Sequence, residues 1–358
     1  MAGERDGSPA RPRVISPSPL RPTRLVVIHG FFRPCPWPHM PMIDRTGHAP
    51  VIVVTGGSDG IGRAAVRAFA QQGATVVMVG RNEAKTAAAA RSIMTETGSR
   101  TVSWRIADLS TRTGVQELAS ALRATYPRID VLCNNAGAMF LERQLTVDGI
   151  ERTFALNHLA YFALTLELLP SLQAAAQSPT QPGIPARIIN VASRAHKNAR
   201  VDLADLARAT DFGGWRAYCN SKLCNIWFTR SLARRLPHDA VVVHTMHPGV
   251  VSTRFATNNG SMGRFLRRVM DLRSVTPEQG ADTMVWLATT LDESVLRASG
   301  GYWYKRRPGS LSRAASDDGR AEQLWAMSAS LTELDADRLV ADSALSASAT
   351  RSSAGESS

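Results

Sequence analysis

The chain has 358 residues, enough for one large core with additional tails. Hydrophobic residues make up 44% of it and charged residues 20%, which is typical of a soluble globular enzyme. No apolar stretch approaches the roughly 20 residues that a membrane-spanning helix needs, so no transmembrane segment is predicted. The formal net charge of +12 fits an anionic membrane surface, nucleic acid or merely an arginine-rich proteome. Because the basic residues form no long block and no zinc-finger spacing occurs, a nucleic-acid partner is not expected.

Both ends of the chain differ in composition from the middle. Residues 1–48 are rich in Pro and Arg and lack apolar periodicity, so they are predicted to be disordered. A signal peptide, or a translation start at Met40 or Met42, is the alternative for this segment. Residues 336–358 form a Ser- and Ala-rich tail that is also predicted to be disordered. A single domain over residues 49–335 remains.

The cysteines bear on the redox environment of the chain. They form no CxxC pair, and the last two are five residues apart in a predicted helix, where they are poorly placed for a bridge. The cysteines are Cys35, Cys133, Cys219 and Cys224. Reduced thiols are therefore expected, which favours the cytoplasm. No metal site is predicted.

In chain order, apolar segments with strand character alternate with helical segments. Residues 51–54 are a continuous apolar run, as expected for a strand buried on both faces, and a helix over 61–72 follows. Further strands are predicted at 74–79, 101–106, 131–133, 187–191, 241–246 and 301–304, with long helices at 146–173 and 215–236. This alternation predicts an α/β fold, a doubly wound parallel sheet of Rossmann type with about seven strands and helices on both faces.

A glycine-rich segment joins the first strand to the first helix. It runs Thr55-Gly56-Gly57-Ser58-Asp59-Gly60-Ile61-Gly62. Glycines let a pyrophosphate approach the backbone, while the free N–H groups and the positive dipole end of the helix face the phosphate. Many glycine-rich strings only make turns, but the strand before and the helix after favour a nucleotide site. The predicted contacts are Gly56, Ser58, Asp59, Gly60, Ile61 and Gly62.

Five motifs in order resemble the short-chain dehydrogenase/reductase family. They are the Thr-Gly-x-x-x-Gly-x-Gly loop, the Asn-Asn-Ala-Gly of residues 134–137, Asn157, a Tyr-x-x-x-Lys at Tyr218 and Lys222 with Ser193 ahead of it, and His247-Pro248-Gly249 before Thr253. The resemblance covers about residues 50–330. The local sequence at residues 191–196, 218–223 and 276–281 is similar to that of the retinol dehydrogenase and WW-domain oxidoreductase branch of the family. The resemblance implies hydride transfer between a nicotinamide cofactor and a carbonyl or alcohol.

Tyr218 and Lys222 lie four residues apart on one predicted helix, so both point to one face. A phenol has a pKa of roughly 10 and needs a stabilised anion for acid–base work near pH 7, which an ammonium provides. By themselves the two residues also fit a tyrosine packed on a lysine stem. The resemblance implies that Tyr218 exchanges a proton with the substrate, while Lys222 lowers its pKa and holds the nicotinamide ribose. It also implies that Ser193 binds the substrate oxygen and Asn157 anchors a water; a turn cap and a satisfied buried amide are the alternatives.

The end of the second strand meets the adenosine ribose in this fold. Gly80 stands where the resemblance implies the acidic residue of an NAD(H) enzyme, and Arg81 offers a guanidinium to a 2′-phosphate, so NADP(H) is predicted. Asp59 weakens that preference if it faces the phosphate, and a solvated Arg81 is the alternative. Asp108 is expected to contact the adenine region, with a helix N-cap as an alternative or coexisting role, and Asn135 is either a cofactor contact or a brace of the sheet. The remaining implied cofactor contacts are Asn82, Leu109, Ala136, Gly137, Tyr218, Lys222, Pro248, Gly249, Val251 and Thr253.

In the resembled family, the loop before the last helices sets substrate specificity, and here it spans residues 254–274. Apolar residues alternate with arginines between 264 and 273, which fits a short amphipathic basic helix. Such a helix would close over a lipophilic aldehyde, ketone or alcohol or rest on an anionic membrane. Packing of its apolar face on the core is the alternative.

The leading interpretation is thus an NADP(H)-dependent oxidoreductase of small carbonyl or alcohol substrates. The rival is a non-catalytic NADP(H)-sensing regulatory or scaffold protein, against which the complete Asn, Ser, Tyr and Lys set argues. A homo-oligomer follows only by analogy with the family. Two nearby histidines, His196 and His247, are not expected to act as bases because the tyrosine already fills that role.

Overall fold

The structure is a computed structural model that describes residues 49–177, 184–237, 239–249 and 275–343, all within the compact unit His39–Ser358. Several predictions fall outside these residues. They are the N-terminal segment 1–48 with Cys35, the cofactor contacts Val251 and Thr253, the loop 254–274, and the tail from residue 344 onward.

In the described residues, one sheet of eight strands has the order β3-β2-β1-β4-β5-β6-β7-β8. The strands are β1 Val51–Thr55, β2 Thr75–Gly80, β3 Val102–Ile106, β4 Val131–Asn134, β5 Ala186–Val191, β6 Val241–Met246, β7 Tyr302–Tyr304 and β8 Arg307–Pro308. The pairs from β3 to β7 are all parallel, and the strand order reverses between β1 and β4. The predicted doubly wound parallel sheet is confirmed.

The short strand β8 is the one that the prediction of about seven strands lacked. It pairs antiparallel with β7, with Trp303 opposite Pro308. The turn between them places Lys305 at φ 51 and Arg306 at φ 59. A two-residue turn with positive φ at both positions normally carries Asn or Gly, so this pair of basic residues gave no hairpin signal.

Helices cover both faces of the sheet. They are α1 Gly60–Gln71, α2 Glu83–Thr97, α3 Arg112–Thr125, α4 Arg152–Phe154, α5 Ala160–Ala176, α6 Gly214–Arg235, α7 Pro277–Thr289, α8 Glu293–Leu296 and α9 Asp318–Thr332. α1 packs against α2 and α7, while α3 and α9 pack against α5 and α6 on the other face. The predicted helices over 61–72 and 215–236 match α1 and α6 to within a residue at each end.

The helix predicted over 146–173 begins later, at Arg152. A turn with φ 73 at Gly149 precedes it, a conformation that a helix does not accept. The buried Glu151 carboxylate caps the new start by accepting two backbone N–H hydrogen bonds of 2.8 Å. The chain then passes through a π-helical turn at Ala155–Leu159 into α5. The predicted start was wrong because apolar periodicity does not reveal a left-handed glycine.

Among the described residues, the helical stretch Arg152–Ala176 is the one segment long and apolar enough to cross a membrane. Its apolar window is 78% buried inside the protein. Phe162 on α5, Phe228 on α6 and Trp325 on α9 pack there with ring centroids 5.1 to 6.1 Å apart. Burial of this extent is what the central helix of a globular core requires.

The described chain stays ordered beyond the domain end predicted at residue 335. Residues 336–343 are helical, and Ala336 and Val340 are buried in the same core as α5. The Ser343 hydroxyl accepts a hydrogen bond of 2.8 Å from Gln173 on α5. Small Ala and Ser side chains suggested a disordered tail by composition, but here they pack closely against a helix.

Candidate active site and cofactor site

The glycine loop forms a cradle between β1 and α1. Gly56 and Gly60 have φ values of 67° and 51°, which only glycine adopts easily. A Cβ on Gly62 would lie 2.3 Å from the Gly56 backbone oxygen, so the helix start needs a bare backbone there. The Asp59 carboxylate caps α1 by accepting from Gly60 N at 2.8 Å, and it also pairs with Lys85 Nζ at 2.7 Å. A helix N-terminus approached by unobstructed backbone fits the phosphates of a dinucleotide.

Asn135 supports this loop from the end of β4. Its Nδ2 donates to the Thr55 backbone oxygen at 2.8 Å. The Thr55 hydroxyl accepts from the backbone N–H groups of Asn135 and Ala136 at 2.9 and 3.0 Å. The brace that sequence reasoning weighed as an alternative is thus present, because these bonds tie the two strands on either side of the switch point together.

The end of β2 leaves no space for an acidic side chain. A Cβ on Gly80 would lie 2.1 Å from the Thr86 hydroxyl, which donates to the Asn82 backbone oxygen. Arg81 and Asn82 follow and are exposed, and Asn82 Oδ1 caps α2 by accepting from Lys85 N at 2.9 Å. Arg81 is therefore the first residue after β2 that can extend a charge toward a ribose phosphate.

Asp108 is not the N-cap of α3, so that alternative is wrong. Thr111 holds the cap position, and its hydroxyl accepts from Gly114 N at 3.1 Å. Asp108 accepts instead from the backbone and hydroxyl of Ser110 at 2.9 and 2.7 Å. Partial burial works to raise the pKa of Asp108, but these hydrogen bonds and the charges of Arg81 and Arg152 lower it overall. Leu109 is buried in the core, so only its backbone is available to a cofactor.

Three predicted catalytic side chains meet at the carboxyl edge of the sheet. Ser193 follows β5, and its side chain is hydrogen-bonded to that of Tyr218 in the first turns of α6. Lys222 is buried, and its Nζ donates to the Val191 backbone oxygen at 2.9 Å. Nζ also lies 5.7 Å from the ring centroid of Tyr218. Ser193 caps a short 3₁₀ helix as well, by accepting from Ala195 N at 3.1 Å, so the turn-cap role coexists with the pairing.

The protonation of this pair differs from what the resemblance implies. Burial raises the pKa of Tyr218 to about 12, although its hydrogen bond with Ser193 acts in the opposite direction. Burial likewise lowers the pKa of Lys222 to about 7. A lysine that is itself desolvated holds only part of its charge near neutral pH. Its own burial therefore weakens the lowering of the Tyr218 pKa that the resemblance implies.

Asn157 lies in the π-helical turn, fully buried beside this group. Its Oδ1 accepts from Ala138 N at 2.9 Å, and its Nδ2 donates to Ala138 O and to the Ser221 hydroxyl at 2.9 and 3.0 Å. The amide is satisfied by protein groups, so a water at this residue would have to bind its backbone oxygen. A Cβ on Gly137 would lie 3.2 Å from Asn157 Oδ1 and 3.5 Å from Lys222 Nζ, which places Gly137 at the same point.

The two histidines make contacts that hold the edge of the sheet together. His196 Nδ1 bonds with the Ser193 backbone oxygen at 2.8 Å. His247 Nδ1 accepts from Gly249 N at 3.2 Å, and its ring stacks on Tyr304 with centroids 4.0 Å apart. Burial lowers the pKa of His196, and it lowers that of His247 to about 4. Pro248 and Gly249 are half-buried, and Gly249 turns the chain at φ 85.

Comparison with known proteins identifies the family. The sequence model of the short chain dehydrogenase family matches residues 50–263. This chain belongs to that family. It is 35% identical to human retinol dehydrogenase 11 over 80% of this chain and 87% of the relative. It is 36% identical to a protein of Streptomyces sp. strain C5, provisionally named a daunorubicin C-13 ketoreductase, over 82% of this chain and 94% of the relative. The predicted retinol dehydrogenase-like branch is confirmed.

Solved structures agree on fold and cofactor. An uncharacterised protein of Mycobacterium paratuberculosis superposes with a TM-score of 0.65 at 31% identity, covering 84% of this chain and 98% of the other. Pseudomonas aeruginosa RhlG in its NADP complex superposes with a TM-score of 0.56 at 26% identity, covering 73% and 96%. This short-chain dehydrogenase is thus an NADP(H)-dependent oxidoreductase acting on CH–OH or C=O groups.

Sequence reasoning missed several residues of this short-chain dehydrogenase that shape the site. Tyr161 donates from its hydroxyl to Ala136 O at 2.8 Å, and its ring centroid lies 5.6 Å from Lys222 Nζ. Tyr161 lies in an apolar helical segment, where an aromatic residue normally indicates a position in the hydrophobic core. Thr55 is the first residue of the glycine motif, and the sequence gives no sign that its hydroxyl binds the backbone after β4. Tyr302 lies in a predicted strand, and nothing in its sequence context pointed to the site.

Proposed function

We propose that this short-chain dehydrogenase reduces lipophilic aldehydes or ketones with NADPH, and that Tyr218 is the proton donor. The observation that carries the proposal is the hydrogen-bonded pair of hydroxyls, Ser193 and Tyr218, at the carboxyl edge of the sheet. Ligands of doubly wound sheets bind at this edge. Lys222 lies one helical turn behind Tyr218 on the same face of α6.

The two hydroxyls would divide the work at the substrate carbonyl. Ser193 donates a hydrogen bond that holds the carbonyl oxygen, and Tyr218 donates to the same oxygen and then transfers its proton. When bound, NADPH supplies the hydride. Positioned proton transfer of this kind typically accelerates a reaction roughly 10²–10⁴-fold. The charged form of Lys222, with Nζ 5.7 Å from the ring centroid of Tyr218, stabilises the phenolate left behind.

The protonation state of Tyr218 favours reduction at neutral pH. Its pKa of about 12 keeps the phenol neutral there, which is the form that can act as an acid. Alcohol oxidation needs the phenolate, whose fraction rises tenfold per pH unit below the pKa. We therefore expect oxidation to speed up from about pH 7 to about pH 10, while reduction slows as Lys222 loses the charge that stabilises the phenolate. Initial rates in both directions test this, and a flat oxidation profile contradicts it.

Trp215 supports the lipophilic part of the proposal. It precedes Tyr218 by one turn of α6, is 54% exposed, and its ring centroid lies 5.9 Å from that of Tyr218. An exposed indole beside the proton donor offers an apolar face to a substrate ring or chain. The named relatives point the same way, since retinol dehydrogenase 11 and the daunorubicin ketoreductase carry names of ring-containing substrates.

No contact among the described residues favours the rival sensor or scaffold role. The described cysteines are buried free thiols, which supports a reducing compartment, and we propose the cytoplasm. The cysteines concerned are Cys133, Cys219 and Cys224.

The test is NADPH consumption by the full chain with straight-chain aldehydes of about four to ten carbons. Each buried methylene contributes about 0.8 kcal/mol, so kcat/KM is expected to rise by up to about fourfold per methylene. Trp215→Ala should flatten that rise and leave the shortest aldehyde unaffected, which serves as the internal control. A profile that is flat in the wild type contradicts the lipophilic preference. No consumption with any member of the panel contradicts the proposed reaction.

A further inference from the structure

β7 carries a tyrosine whose hydroxyl has no partner among the described residues. Tyr302 is 6% exposed, and its Oη is a buried atom without a hydrogen-bond partner in the part of the chain that the structure describes. Other tyrosines differ: Tyr161 donates to Ala136 O at 2.8 Å, and Tyr126 pairs with the Ser103 hydroxyl at 3.0 Å. An unpaired buried hydroxyl costs about 1–3 kcal/mol, so a folded protein rarely keeps one without use.

The ring of Tyr302 stands beside the proposed proton donor. His196, which is bonded to the Ser193 backbone, meets the ring edge-on with centroids 5.1 Å apart. His247 stacks on it with centroids 5.7 Å apart. Burial raises the pKa of Tyr302, the charge of Arg194 opposes that rise, and the neighbouring Tyr218 phenol adds to it. Both phenols therefore belong to one site at the carboxyl edge.

The contacts of Tyr302 show that its ring is held without the help of the hydroxyl. Tyr302 belongs to the same buried apolar cluster as Leu223 and Trp227 of α6, and a Cβ on Gly309 would lie 2.8 Å from its ring. The backbone of Tyr302 accepts from Gly309 N at 2.7 Å. Because packing holds the ring, the hydroxyl lies at a defined place, buried and without a partner among the described residues.

The proposed reaction already uses both lone pairs of the substrate carbonyl oxygen. Such an oxygen accepts two hydrogen bonds, and Ser193 and Tyr218 provide them. A third donor at this place finds no further lone pair on that atom and needs a different acceptor close by.

We infer that the Tyr302 hydroxyl donates a hydrogen bond to a second oxygen of the substrate, on the carbon next to the reacting carbonyl. The substrates would then be α-hydroxy or α-keto carbonyl compounds with an apolar body. This inference rests on the proposed reduction at Ser193 and Tyr218, and it adds a substrate class to it. Tyr302 acts as a specificity residue, since it touches the substrate away from the reacting atoms.

The test compares two ketones that differ only at the second oxygen, 2-hydroxyacetophenone and propiophenone, in which a methyl group replaces the hydroxyl. Tyr302→Phe keeps the ring and removes the donor. We expect kcat/KM for the hydroxy ketone to fall roughly 3- to 10-fold, the equivalent of one neutral hydrogen bond. For propiophenone it should change less than about twofold. Because the hydroxyl has no partner within the described part of the chain, Tm should stay the same or rise.

Tyr126→Phe is the matched control, since that hydroxyl is paired and remote from the site. It should lower Tm and leave both kcat/KM values unchanged. The inference is overturned if Tyr302→Phe affects the two ketones equally, affects neither, or lowers Tm as the control does. A wild type that reduces other ketones but not 2-hydroxyacetophenone also overturns it and leaves the proposed reaction standing. A wild type that reduces no carbonyl compound removes both.

Discussion

The two parts of the carboxyl edge are built by different means. At the cofactor part, formed by the glycine loop and the end of β2, the backbone itself makes the site, and small residues keep side chains away. At the hydroxyl part, formed by Ser193, Tyr218 and Lys222, buried side chains make the site. The difference shows that the cofactor part depends on the space left by small residues, whereas the hydroxyl part depends on the protonation of its side chains. Substitutions should therefore affect them differently.

The largest effect is expected at the hydroxyl part. Tyr218→Phe keeps the ring and removes the proton donor, so kcat should fall roughly 10²–10⁴-fold. The Kd of NADPH, measured by titration of cofactor fluorescence, should stay close to that of the wild type. The Tm should also stay close to the wild-type value. Tyr126→Phe, the remote tyrosine used above, controls for loss of a phenol. A Tyr218→Phe enzyme that keeps more than about a tenth of the wild-type kcat rules out the assignment.

The cofactor part should respond to a single methyl group. Gly62→Ala would place its Cβ 2.3 Å from the Gly56 backbone oxygen and 2.6 Å from Asn135 Nδ2, so the loop must shift. We expect NADPH to bind about tenfold or more weakly, measured as Kd by fluorescence titration.

Gly98→Ala is the control for backbone strain alone. Gly98 has φ 70 and nothing within 4 Å of the added Cβ. It should lower the free energy of unfolding by about 1–2 kcal/mol and leave the Kd of NADPH unchanged. If Gly62→Ala binds NADPH as tightly as Gly98→Ala does, the cradle is not the phosphate site.

A smaller change is expected at the end of β2. Arg81→Ala removes the proposed partner of the 2′-phosphate, so the ratio of kcat/KM for NADPH to that for NADH should fall about 10- to 150-fold. Gly80→Asp alone is a poor way to reverse the preference, because Thr86 occupies the space of its Cβ. Arg91→Ala is the control, since Arg91 is an exposed arginine farther along α2. Equal use of NADH and NADPH by the wild type would falsify the role of Arg81.

The last effect concerns stability rather than turnover. Burial lowers the pKa of His158 to about 3 and that of His244 to about 4, from the ordinary 6.5. Below about pH 6.5 the unfolded chain binds protons that the folded chain does not, so stability falls as pH falls toward those lower values. Each histidine contributes about 1.4 kcal/mol per pH unit in that window.

Urea unfolding at about pH 7, 6 and 5 measures that slope. His158→Gln keeps an amide for Asn225 and Ser328 but does not titrate, so it should reduce the slope by one histidine's share. Stability that is unchanged or higher at about pH 5 contradicts the prediction.

The same contrast explains what the sequence could predict. The cofactor part could be predicted because β1, the glycine loop and α1 are adjacent in the chain. The family motifs also identified it. β6 was predicted residue for residue at 241–246 because it is buried on both faces. The start of the central helix was wrong because Gly149 turns left-handed, and β8 was missed because Lys305 and Arg306 do so.

The hydroxyl part could be named from motifs, but its chemistry could not. The pKa of Tyr218 depends on burial by elements far away in the chain, and the resemblance implied the opposite shift. The N-cap role considered for Asp108 was wrong because Thr111, three residues later, is the N-cap of α3. The unpaired hydroxyl of Tyr302 is visible only once β7 lies beside β6 and its neighbours are known. Long-range contacts of this kind leave no local pattern.

The packing of α9 on α6 has a consequence for how the protein is made. α6 carries Tyr218 and Lys222, and its outer face is covered by Trp325 and its neighbours near the end of the 358-residue chain. Domains fold as they leave the ribosome, N-terminal parts first. The glycine loop can therefore assemble early in synthesis, whereas the helix that carries the proposed proton donor gains its cover only after α9 has emerged. A chain terminated before α9 would hold the cofactor loop without a covered catalytic helix, so α9 has to be synthesised before turnover begins.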